Sequence, residues 1–76
     1  MNNERRKALK ALGAQIDELA VLVEEIRDAE QEAFDNMPES FQDGERGDAA
    51  QQSIDYLDTA IDYLATAVAE MESAAE

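Results

Sequence analysis

Carboxylates are the residues most able to do chemistry in this chain of 76 residues, which carries nineteen Asp and Glu but neither histidine nor cysteine. If the surrounding segments are helical, Glu24, Asp28 and Glu32 share one face, and so do Asp55, Asp58 and Asp62, because residues three and four apart are surface neighbours on a helix. Oxygen-only clusters suit magnesium or calcium when the oxygens converge on one point. These carboxylates instead project from outer helical positions into water. The Glu-x-x-His pairs of di-iron bundles and the Asp-x-Asp-x-Asp-Gly calcium loop are both absent.

One spacing, Glu25-Ile-Arg-Asp28, matches the paired acids that helical nucleotide pyrophosphohydrolases arrange around magnesium. Such a short pattern arises easily in so acidic a sequence. The chain has no histidine to serve as base for a nucleophile, and it lacks a glycine-rich phosphate cradle and a nucleotide fingerprint. The expectation is a protein without catalysis, cofactor or metal.

Binding is the remaining chemistry. A net charge of −13 argues against direct contact with nucleic acid, whose phosphates demand basic side chains. It favours a basic protein surface as partner, against the plainer reading that the acids only keep a helical surface soluble. Residues 24–48 concentrate ten acidic residues against only Arg27 and Arg46, a local charge of −8. Glu30, Glu32 and Asp35 also approach the predicted C-terminus of a helix, where negative charge is unfavourable by about 0.3–1 kcal/mol each. Stability alone would not select that placement. Among these acids sit Phe34, Met37 and Phe41, of which Phe34 and Met37 could plug the end of a helical pair, while Phe41 has fewer local reasons to be buried. Glu32, Phe34, Asp35, Met37, Glu39 and Phe41 are therefore the candidate docking residues, with charge guiding approach and the apolar groups supplying affinity.

The elements that must position them are two helices. Leu9, Leu12, Ile16, Leu19, Val23, Ile26 and Ala33 recur at spacings of three and four, with Glu30 interrupting, and predict a helix over about 4–35. Asn36-Met37-Pro38 ends it, since proline disfavours helical backbone in the residue before it. Ala50, Ile54, Leu57, Ile61, Leu64, Val68, Met71 and Ala75 predict a second helix over about 46–75, capped by Asp43 or Gly44. Asn36 followed by Glu39 resembles a capping box and predicts a short helical turn in the connection. The matched lengths predict an all-α antiparallel hairpin, one domain over residues 1–76, with Arg5, Arg6, Lys7 and Lys10 beside Glu70, Glu72 and Glu76.

Both apolar stripes are broader than one hairpin contact uses. Ser53, Ala60, Ala67 and Ala74 flank the second stripe on one side, and Ala49, Tyr56 and Tyr63 lie beyond them. The first helix adds Ala8, Leu22 and Ala29 on one side and Gly13, Ala20 and Phe34 on the other. A homodimeric four-helix bundle is the expected outcome, with Leu22, Tyr56, Ala60, Tyr63 and Ala67 at the interface. The two tyrosines are otherwise expected to close the edge of a core.

The string Glu30-Gln-Glu-Ala-Phe34-Asp-Asn-Met-Pro-Glu-Ser-Phe-Gln42, with Glu45-Arg-Gly47 and the Ala-Ile-Asp-Tyr-Leu run at 60–64, resembles small acidic proteins of bacteriophages and prophages that share an Asp-Asn-Met-Pro-Glu turn between two helices. The likeness spans about residues 4–72, and this chain departs from the leucine-rich form of the group in Phe41 and its alanine-rich second-helix flanks. The resemblance transfers no catalytic residue. It implies an accessory protein acting in the cytoplasm of an infected or lysogenic bacterial cell, where such proteins inhibit or redirect host machinery, including restriction, CRISPR and other defence systems. The N-terminus lacks the apolar core of a secretory signal, and no apolar run approaches membrane-spanning length. The rival expectation is a structural or assembly module acting through helix–helix contacts.

Overall fold

Helix formation begins where Asn2 accepts a hydrogen bond from the Arg5 amide to its side-chain oxygen at 2.9 Å, satisfying one of the amides that a helix start leaves without an internal partner. In the computed structural model, which describes residues 1–76, this opens α1 (Asn3–Asp35), followed by the single-turn α2 (Glu39–Gln42) and by α3 (Glu45–Ala74). No strand is present. The expected all-helical hairpin and both long-helix boundaries are borne out to within one residue.

Of the expected caps in the connection, Gly44 does cap α3, whereas Asn36 takes a different place. Asn36 does not open α2; it closes α1, its amide donating to the Glu32 carbonyl, and Pro38 occupies the residue before α2 instead. Proline suits that place, since its φ is preset and a helix start has amides to spare. Asp43 in turn closes α2, and Gly44 precedes α3 without any side-chain cap.

The seam between α1 and α3 also runs along a different edge of α1 from the one its leucines suggest. Leu9, Ile16 and Val23 face α3, but they share the contact with Gly13, Ala20, Arg27 and Phe34. Leu12, Leu19 and Ile26 are left 49%, 56% and 62% exposed. Small side chains accompany the rotation, with Gly13 buried and Ala20 half-buried in the seam. A Cβ added at Gly13 would make ordinary contact with Val68 Cγ1, at 3.7 Å. On α3 the expected stripe does face inward, with Ala50, Ile54, Val68 and Ala75 buried.

The result is a rod of 58 × 15 × 11 Å. Its radius of gyration is 17.2 Å, against roughly 11 Å for a compact fold of this length. Only six of the 76 residues are buried, so the hairpin has a seam rather than an enclosed core. No helix is long and apolar enough to cross a membrane.

Candidate protein-docking site

The turn end is built by three local devices. The first serves the C-terminus of α1, whose last carbonyls lack partners within the helix. Gln42 Nε2 donates to the Phe34 carbonyl at 3.0 Å and lies 3.5 Å from that of Asp35, so α2 caps the helix it follows. The second is Gly47, in the first turn of α3 and buried against the end of α2; any Cβ there would collide with the backbone of Gln42. No glycine in the chain has positive φ, so Gly47 is required for space and not for an unusual backbone conformation. The third is Arg46, whose guanidinium carbon lies 5.2 Å from the centre of the Phe41 ring, within the range of a cation–π contact.

These devices place the six candidate residues around one end of the rod. Phe34 and Met37 are half-buried beneath the turn, while Phe41 remains 46% exposed on the short helix. Glu32, Asp35 and Glu39 are exposed, and none of them forms an ion pair. Asp35 accepts a hydrogen bond from Gln31 Nε2 at 3.0 Å, which orients its carboxylate without neutralising it. With Arg46 engaged by the aromatic ring, the acids of this end have no bound counter-charge. Neither long helix carries a basic residue in its last turn. Chemically the end offers exposed carboxylate acceptors around one apolar ring, suited to a cationic surface.

Farther along the seam, Arg27 Nε donates to Asp58 Oδ1 at 2.9 Å, joining α1 to α3. That hydrogen bond raises the Arg27 pKa above its already high ordinary value, although partial desolvation acts the other way. Asp28 lies on the same guanidinium at 3.5 Å. The aspartates of the two possible metal-binding faces are thus spread, with Asp28 and Asp58 drawn to an arginine. No three carboxylates converge on a common point.

At the open end the basic N-terminus does lie beside the acidic C-terminus, with Lys10 and Glu72 lining one groove. Arg6 reaches the Glu76 carbonyl at 3.4 Å, but no ion pair joins the basic N-terminus to Glu70, Glu72 or Glu76. A shallow groove of about 240 Å³ lies there between the helices, floored by Gly13, Val68 and Ala75. The expected interface residues Leu22, Tyr56 and Tyr63 are 54%, 70% and 72% exposed, Ala67 is exposed, and Ala60 is half-buried. The tyrosines therefore do not close the hairpin's own core.

Gln42, Arg46 and Gly47 are the turn-end residues that sequence reasoning passed over. Their signal lay in the connection itself, where a glycine three residues into a helix has no cap to form and must answer to packing. No protein-family model, curated protein or solved structure matches this chain.

Proposed function

We propose that the chain is a non-enzymatic binding protein that docks its acidic turn end on a basic surface of another protein and thereby inhibits or redirects it. The observation that carries this reading is the pairing of Phe41, exposed on a turn held by Gln42 and Gly47, with the unpaired carboxylates of Glu32, Asp35 and Glu39. A prepositioned surface loses little freedom on binding, and an apolar ring amid charges supplies an anchor that charge alone lacks. A nucleic-acid-binding surface fits as target, since carboxylates can occupy places made for phosphates. The resemblance to small phage proteins supplies the setting, a host protein in the bacterial cytoplasm.

The test is capture of bacterial lysate proteins on the immobilised chain, followed by mass spectrometry. Glu32→Lys, Asp35→Lys and Glu39→Lys together should abolish capture while far-ultraviolet dichroism shows undiminished helix. Capture by the wild type should also weaken steeply between low and physiological salt, because exposed charges are screened over roughly 8–10 Å. Undiminished binding by the triple variant would refute the site. Assembly through helix–helix contacts is the second reading, favoured by the exposed leucine and tyrosine flank.

A further inference from the structure

The two flanks of α3 differ in charge, while on α1 Glu18 and Glu25 border the leucines. Asp55 and Asp58 line grooves beside Arg27 on one flank, with Gln31 and Glu24 of α1. From Ala49 to Ala69, α3 carries only one other charge, Asp62, and its seven-residue spacing puts it on the same side as Asp55. The opposite flank of α3, including Tyr56 and Tyr63, is therefore free of charge over this span, in a chain that is 33% charged. Because α1 turns its Gly13–Ala20–Arg27 edge into the seam, Leu12, Leu19, Leu22 and Ile26 emerge beside those tyrosines. Apolar side chains, tyrosine and depletion of charge mark the centres of protein interfaces.

The area is that of a missing partner of the same kind. A compact monomer of 8.4 kDa would expose about 4,600 Å², whereas this chain exposes 5707 Å². The surplus of roughly 1,100 Å² per chain, doubled for a pair, falls in the range of permanent homodimer interfaces. The large exposed side chains Leu12, Leu19, Leu22, Ile26, Tyr56 and Tyr63 lie along one side of the rod, as an interface between identical copies requires.

We infer that this flank is covered by a second copy of the chain running antiparallel to the first, in a four-helix bundle with the two acidic turns at opposite poles. Charge sets the direction. The turn end carries −8 over residues 24–48, whereas residues 1–12 and 66–76 balance four basic against four acidic side chains. A parallel pair would press the two −8 ends together. The antiparallel pair sets each against a neutral end, where Arg5 continues the Leu12–Leu19–Ile26 stripe by one further heptad toward the partner copy's acidic turn. The symmetry axis falls near the middle of the rod, where stepping five residues from the Arg27–Asp58 pair toward the open end brings Leu22 level with Tyr63. This pairing refines the expected dimer, adding the α1 leucines to its interface, and it does not depend on the docking reading.

Cysteine is absent, so a spin label can be placed at one chosen site, Ser40→Cys on the turn, with the flank left intact. Sedimentation of the labelled full chain at micromolar concentration should give twice the 8.4 kDa chain mass. Dipolar spectroscopy should then place the two labels at a separation comparable to the 58 Å long axis. A helical species of single-chain mass would overturn the pairing, and so would a mass above two chains. A label separation no greater than the width of the bundle would overturn the antiparallel arrangement. Leu19→Asp should weaken association on the order of a hundredfold, since it takes a carboxylate into an apolar contact. Retention of the wild-type dimer by Leu19→Asp would also count against the assigned flank. A confirmed dimer that captures no lysate protein would leave this inference standing while removing the docking function.

Discussion

The two ends of the rod solve the same problem, holding α1 against α3, in opposite ways. At the turn, Gly47 packs against the Gln42 backbone and Gln42 caps α1, so each piece of the connection is fixed by another. At the open end a groove lies over Gly13, and the only hydrogen bond joining the two termini is the 3.4 Å contact from Arg6 to the Glu76 carbonyl. Tight packing thus coincides with the electrostatically unfavourable end. Repulsion among the carboxylates at the turn must be offset by such local constraints, whereas the neutral end has no such demand. On the proposed reading this local support is what a recognition surface needs, and a merely solubilising excess of acid would not need it.

Substitutions at the two glycines probe this contrast most directly. Gly47→Ala should cost about 2–3 kcal/mol, because the added methyl meets backbone that cannot rotate away. Urea unfolding followed by dichroism at one fixed protein concentration measures it. Removing the side-chain cap is a milder insult: Gln42→Ala should lose about 1 kcal/mol, the ordinary net value of a hydrogen bond. Amide exchange at the end of α1 should report that loss as local fraying. The smallest change is expected at the open end, where Gly13→Ala should stabilise the chain by about 0.5–1 kcal/mol. Its new methyl would reach only ordinary contact with Val68, at 3.7 Å. Similar destabilisation at both glycines would erase the distinction between a packed and a loose end.

The helices themselves were legible. Apolar spacing, Pro38 and the glycine-bearing connection located α1 and α3 to within a residue, because those signals act locally. Caps were less legible, since Asn36, Asp43 and Gly44 all suit more than one position in a tight turn, and the choice among them depends on how α2 packs. Of the candidate docking site, the sequence pattern singled out the acids and the three apolar groups around the turn. It could not show that Arg46 sits on Phe41, nor that Gln42 reaches back eight residues to Phe34.

Sequence by itself determined the helical period, the break at residues 36–44 and the concentration of acid there, since each is a property of neighbours along the chain. Tertiary structure decided which edge of α1 enters the seam. Leu12, Leu19 and Ile26 look like core in the pattern, yet the edge carrying Gly13 and Ala20 enters the seam and those larger side chains face outward. Periodicity identifies an apolar stripe but not its occupant, because a helix broad enough for two partners presents the same spacing to both. The packing of this one pair of helices thereby left the larger side chains exposed.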